Sequence, residues 1–189
     1  TSFWKFSTFA GITNSFGSIN DLYNGFILLS AKNLSAKNTD IQQTKSNFVG
    51  SRLEYRNPLN NIFFNVSYNF NDRTSNITYL NKLNVDSQQF ILEGYNLENN
   101  SKTNSARTEL GKYFPKLKTN ASVGYNYSLS NYQPLPANST PTESSFIDVE
   151  RRNQGVNVKF NNNYFSWLSL DYNASWNFSK TQSPDDAKF

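Results

Sequence analysis

The sequence contains no cysteine, no histidine and no methionine among its 189 residues, with only 8 glycines and 6 prolines. Without Cys or His it lacks thiol nucleophiles, histidine-based triads and the usual zinc ligand sets. Zero Cys fits a protein that crosses an oxidising periplasm, as it also fits many cytosolic domains. No stretch approaches the roughly 18 uninterrupted apolar residues of a membrane helix, and the mean hydropathy is -0.66. A helical membrane protein is thereby excluded. The chain opens at Thr1 with neither a start Met nor a signal segment, so it is expected to be an internal or C-terminal piece of a longer secreted chain.

What is abundant is aromatic residues: 16 Phe and 11 Tyr lift the aromatic fraction to 16%. That is too many for a disordered chain and suits strands and interfaces. The polar remainder is dominated by Asn and Ser, which favour turns and wet surfaces over helix interiors. An all-β fold follows. The pI near 9.2 raises the possibility of a nucleic-acid partner. The 18 Lys and Arg are scattered singly apart from Arg151-Arg152, no basic helix accompanies them, and nucleic acid is set aside.

Three stretches alternate apolar with polar residues after a tight turn. They read Ile62, Phe64, Val66, Tyr68, Phe70; Leu117, Thr119, Ala121, Val123, Tyr125, Tyr127; and Leu168, Leu170, Tyr172, Ala174, Trp176, Phe178. The residues between them are small or polar, and a period of two sends the two sets to opposite faces of a strand. Alternation alone leaves open what covers the apolar face. Length is more telling: about ten residues at about 3.3 Å each, tilted about 45°, climb roughly 23 Å, close to the ~25 Å apolar band of an outer-membrane barrel. Each run also closes on Tyr, Trp or Phe, where an aromatic girdle meets the lipid boundary.

Short connections at Arg56 to Asn61, Phe114-Pro115-Lys116 and Asn161-Asn162-Asn163 are built from turn-forming residues and are expected on the periplasmic side. Longer polar segments, Asn84 to Ser87 and Asn131 to Ser145 with Pro134, Pro136 and Pro141, are expected outside. The predicted elements run over 3–13, 44–56, 61–83, 88–113, 116–132, 146–161 and 163–180, with strand pairing near Phe26 to Ala31 inside a long excursion. At its full length 61–83 would climb roughly 50 Å, twice the apolar band, so that Asn71 to Asn84 would stand above it. The fold expected is therefore an antiparallel transmembrane β-barrel segment with long strands, short periplasmic turns and long extracellular loops.

The run from Tyr55 through Asn57-Pro58-Leu59-Asn60-Asn61-Ile62-Phe63-Phe64 to Tyr68 resembles a recurring barrel segment of TonB-dependent receptors from Bacteroidetes. Phe114-Pro115-Lys116-Leu117-Lys118-Thr119, followed by Val123-Gly124-Tyr125-Asn126-Tyr127-Ser128-Leu129-Ser130, is similar in kind, and the resemblance covers 44–180. It implies a bacterial outer-membrane location and energy-coupled import of a bulky nutrient. The implied partners are outer-membrane lipid, the rest of the barrel with its plug, TonB and a surface lipoprotein. On that reading the chain is about a third of a roughly 22-stranded wall that its own strands cannot close.

Candidate lumen-facing residues are Asn65, Asn69, Arg107, Glu109, Lys118, Asn120, Asn126, Lys159, Asp171 and Asn173. Candidate lipid-facing or girdle residues are Ile62, Phe64, Val66, Tyr68, Phe70, Tyr125, Tyr127, Leu168, Leu170, Tyr172, Trp176 and Phe178. Leu170 is placed at the apolar midplane, where an arginine would cost roughly 2–4 kcal/mol, with a much smaller cost at Asp171. A polar lumen is general in barrels, so the lumen charges read as a hydrated network holding the wall. Tyr132 and Phe146 flank an outer loop and can stack a sugar. Asp185-Asp186 and the set Glu143, Asp148 and Glu150 lack a calcium-loop pattern. No phosphate loop follows a strand, and neither enzymatic activity nor a cofactor is expected. Two alternatives remain: an outer-membrane barrel with an assembly, secretion or adhesion scaffold role, and a soluble carbohydrate-binding β-sandwich with strands of about five or six residues.

Overall fold

The computed structural model describes residues 3–18, 25–30, 32–36, 39–84, 89–136, 140–142, 145–165 and 167–183. Among the described residues there are eleven strands: β1 (Trp4–Phe16), β2 (Phe26–Ser30), β3 (Asn33–Ala36), β4 (Gln43–Asn57), β5 (Ile62–Ser75), β6 (Thr78–Asn84), β7 (Gln89–Tyr95), β8 (Asn99–Phe114), β9 (Thr119–Tyr132), β10 (Val149–Phe165) and β11 (Leu168–Gln182). The fold is all-β. Among the described residues no helix is long and apolar enough to cross a membrane.

Seven long strands form one antiparallel sheet in the order β1-β4-β5-β8-β9-β10-β11, open at β1 and β11. The register runs from Trp4↔Tyr55 on one side to Glu150↔Gln182 on the other, shifting only between Asn162 and Phe165 among the described pairs. The four short strands form a second sheet, β2-β3-β7-β6, in which β3 and β7 run parallel.

Three tight reversals lie at one end of the large sheet. At the first, the Asn57 Oδ1 accepts hydrogen bonds from the Leu59 and Asn60 amides at 3.0 and 3.2 Å, and Asn61 takes a left-handed conformation, φ 53. That is the use for which Asn is suited. At the second, Pro115–Leu117 makes one 3-10 turn and Lys118 follows at φ 45. The third differs from expectation. Asn161, Asn162 and Asn163 do not form a turn but continue β10 to Phe165. The reversal falls instead beside Trp167, where Tyr164 packs edge-on against Phe165 at 5.2 Å and Phe165 against Trp167 at 5.7 Å.

The two long predicted elements are each divided. Rather than climbing as one strand, 61–83 breaks after Ser75, and β6 enters the small sheet; 88–113 likewise divides into β7 and β8. The break is held by side chains: the Asn76 Oδ1 accepts from the Gln43 amide at 2.6 Å, its Nδ2 donates to the Ile41 carbonyl at 3.1 Å, and the Ser75 hydroxyl donates to the Ile77 carbonyl at 3.1 Å. Asn84's neighbours Val85 to Ser87, together with Glu143, Asp185, Asp186 and Phe189, lie outside the described residues.

Among the described residues the buried hydrophobic ones are Ile77, Leu80, Leu135 and Val149, all near the end of the large sheet opposite the tight turns. None lies on the alternating apolar positions. The accessible surface of 13175 Å² exceeds by about 40% the roughly 9,200 Å² expected of a compact monomer of this mass. A water-excluding core within the large sheet is missing among the described residues.

Candidate functional site: the two faces of the large sheet

The register sorts the side chains of the seven long strands into two chemically distinct faces. Every proposed lipid-facing residue shares one face. Phe64 stands opposite Tyr55 and Leu110, and Leu110 opposite Val123. Val123 stands opposite Val158, and Val158 opposite Ala174. The next row reads Phe6, Leu53, Val66, Thr108, Tyr125, Val156 and Trp176. Ile62, Tyr68, Phe70, Tyr127, Leu168, Leu170, Tyr172 and Phe178 continue the same face above and below. Many of these side chains are exposed, Phe6 67%, Leu110 55% and Phe178 65%, while Ile62, Phe64 and Val66 are half-buried.

The opposite face holds all the proposed lumen residues except Lys118, which sits in the second turn. Glu54, Asn65, Glu109 and Gly124 are directly opposed in succession across β4, β5, β8 and β9, and Arg52, Ser67, Arg107 and Asn126 form the adjoining row. Each glutamate is neutralised within its own strand. Arg52 and Arg56 approach Glu54 at 2.8 and 3.7 Å, and Arg107 approaches Glu109 at 3.8 Å. The carboxylates are half-buried while the guanidinium groups stand in the open. Between the glutamates, the Asn65 Oδ1 is buried with no hydrogen-bond partner among the described residues. It contributes to a depression of about 430 Å³ with Phe9, Arg52 and Arg107. Asn161 Nδ2 donates to Asp171, and Asn173 faces Lys159. Asn69 and Asn120 share this face.

Three phenylalanines of the polar face, Phe9, Phe48 and Phe63, reach over glycines on the neighbouring strand. A methyl group at Gly11 would collide with the ring of Phe48, one at Gly50 with Phe9, and one at Gly111 with Phe63. Removing a side chain at these points lets the neighbouring ring cover bare backbone and keeps the polar face low.

The small sheet carries a separate polar cluster. Lys82 Nζ donates to Glu93 Oε2 at 2.7 Å and to the Tyr95 hydroxyl at 2.8 Å, and the Tyr95 hydroxyl donates to the same carboxylate. These bonds hold the Lys82 ammonium above its ordinary pKa, the Glu93 bond being the main cause. They hold the Glu93 carboxyl below its ordinary value, chiefly through Lys82. Asp148 and Glu150 do not converge on one point: Asp148 accepts from Gln133 Nε2 at 2.7 Å and Glu150 from Arg152 Nε at 2.6 Å.

Sequence reasoning missed β1 as part of the apolar face, because Trp4, Phe6, Thr8, Ala10 and Ile12 are interleaved with Phe9 and the period is blurred. It also missed the row of charges closing the apolar face toward the long loops: Lys45, Asp72, Lys102, Arg152 and Lys180. Their alignment exists only once the register is known. No family model, no curated protein and no solved structure matches the chain.

Proposed function

We propose that this chain is part of the wall of a bacterial outer-membrane β-barrel, its apolar face toward lipid and its polar face toward the lumen, in a TonB-dependent receptor for energy-coupled nutrient uptake. The observation that carries the membrane reading is the oblique course of the apolar band across the register. Lys45 closes it on β4 and is opposed by Thr74. Asp72 and Lys102, directly opposed, close it one residue pair lower. Arg152 and Lys180, also directly opposed, close it a pair lower again, since Lys102 faces Asn131 and Asn131 faces Glu150. A horizontal slab crossing tilted strands requires such a drift. About 0.8 residue per strand, with a rise of about 3.4 Å and a spacing of about 4.8 Å, corresponds to a tilt of roughly 30°, near the ~35–45° of membrane barrels.

The thickness agrees. On β8 the band lies between Lys112 and Lys102, about 34 Å along the strand and ~29 Å at the tilt of about 30°, within a few Å of the ~25 Å apolar band. A soluble sandwich would cover such a face with a second sheet, and here the face is bare. The receptor assignment, with a plug, TonB and a surface lipoprotein as partners, rests on the resemblance of 44–180 alone.

The natural lack of cysteine supplies the test. In the full-length protein in native membranes, a cysteine at Val66 should react only with a lipid-soluble maleimide, and one at Asn69 with a small water-soluble maleimide. Equal labelling of both by the water-soluble reagent refutes the membrane reading. Nutrient uptake that persists after loss of TonB, with the barrel intact in the membrane, refutes the energy-coupled receptor; uptake unchanged by deletion of this protein itself favours the scaffold role.

A further inference from the structure

We infer that Arg152 and Lys180 form a binding site for the phosphate of a net-anionic membrane amphiphile, at the border of the apolar band nearest the long loops. The inference rests on the band facing lipid. Of the charges at this border, Lys45, Lys102, Arg152 and Lys180 are cationic and Asp72 and Glu150 anionic, and Asp72 stands opposite Lys102. Lys45 is then a lone cation on β4, and the one place where two cations adjoin is on β10 and β11.

There Arg152 and Lys180 are directly opposed on adjacent strands. Like charges in that position repel. Glu150 answers only part of this, because it accepts from the Arg152 Nε and leaves both terminal amino groups of the guanidinium without a partner among the described residues. Lys180 has no ion pair or hydrogen bond there. The other neighbours on this face are neutral: Leu129 opposes Arg152, and Gln154 and Gln182 flank the pair.

One residue pair nearer the middle of the band stand Tyr127 and Phe178, which face Gln154 from either side. An anion placed between the two cations relieves their repulsion and accepts the free guanidinium hydrogens. Its attached acyl chains continue down over Phe178, Trp176 and Tyr125. A free carboxylate or phosphate would use the cations and leave that apolar surface unused, so the geometry favours an amphiphile with a phosphate headgroup.

The experiment places the full-length protein in phosphatidylcholine nanodiscs and measures its association with spin-labelled phosphatidic acid, with diacylglycerol of the same chains as the neutral comparison. Phosphatidic acid should be enriched around the protein and diacylglycerol should not. The double variant Arg152→Gln/Lys180→Gln should lose about thirtyfold in association, from roughly fivefold per cation at a membrane surface. Lys5→Gln, which removes one positive charge from the opposite face, should leave it unchanged, whereas Lys180→Gln alone should lower it about fivefold. Equal association in the wild type and the double variant overturns the site while the membrane reading stands. Displacement of the labelled lipid by inorganic phosphate assigns a free-anion site and overturns the headgroup. Failure to insert into nanodiscs overturns the membrane reading and this site together.

Discussion

Val156 offers the sharpest perturbation. It lies on β10 between Tyr125 and Trp176, four residues from Arg152 and six from Asn162. At about 3.4 Å per residue and about 30° of tilt these polar borders are ~12 and ~18 Å away, so Val156 sits near the middle of the band. Val156→Arg should therefore cost roughly 2–4 kcal/mol when the full-length protein unfolds reversibly from lipid vesicles in guanidinium chloride. Leu129→Arg, level with Arg152, should cost only about 0–1 kcal/mol because its head reaches the border. Asn153→Arg, on the same strand but on the polar face beside Ser128 and Ser179, should stay within roughly 0.5 kcal/mol. The depth series discriminates where a single site does not, since a sandwich core also rejects arginine but has no graded border. Equal costs at Val156 and Leu129, or at Val156 and Asn153, would refute the reasoning. The register also shifts an expectation: Leu170 is one residue pair from the Leu168 end of β11, the midplane passes nearer Ala174, and Leu170→Arg should cost less than Val156→Arg.

Gly111→Ala should destabilise the protein by about 1–3 kcal/mol through collision with the Phe63 ring. In a double-mutant cycle with Phe63→Ala the two costs should fall well short of adding, and simple additivity would separate the glycine from the ring. In the small sheet, Glu93 has a lowered folded pKa, so its stabilising contribution is complete above the unfolded carboxylate value and is lost as the pH falls below about 4. Lys82, with a raised folded pKa, contributes fully below the unfolded ammonium value and loses its share only as the pH rises above about 10. Glu93→Gln should remove the acid-side loss of amide-exchange protection in β6 and β7, an effect of less than about 1 kcal/mol for so exposed a pair. Protection equally acid-sensitive in the variant would detach the cluster from the stability of that sheet.

The alternation in Ile62–Phe70, Thr119–Tyr127 and Leu170–Phe178 was legible because a strand bounded by two different environments must carry a period of two. It placed these residues on one face, and Asn65, Arg107, Glu109, Lys159 and Asp171 on the other. What failed to show were features decided by distant partners. The break after Ser75 depends on Asn76 bonding to Ile41 and Gln43, and nothing local marks that Asn among so many others. The Asn161 to Asn163 run has turn composition yet stays in the ladder, because the reversal next to it is fixed by the packing of Tyr164, Phe165 and Trp167. The parallel pairing of β3 with β7 joins segments far apart in the chain and has no local signature. Lys118 belongs to the turn because its left-handed conformation closes the 3-10 segment, with its amide donating to the Pro115 carbonyl at 3.2 Å, although the alternation read by itself gives it a face.

The large sheet also constrains what can stabilise it. Backbone pairing between strands contributes little net free energy while water can replace each bond, and the usual compensating term, apolar burial, has almost no place among the seven long strands. At about 25 cal/mol per Å², the exposed side chains of the band could supply the missing term only by leaving water. In water the same surface, far beyond the few hundred Å² that soluble monomers expose, favours association instead. A hydrocarbon environment removes the band from water and strengthens the ladder, since backbone groups there have no alternative partners. On the proposed membrane reading the two faces require each other: the Asn, Ser and Arg of one keep a wet surface against which the sheet need not pack, and insertion of the other's aromatics would hold the strands together.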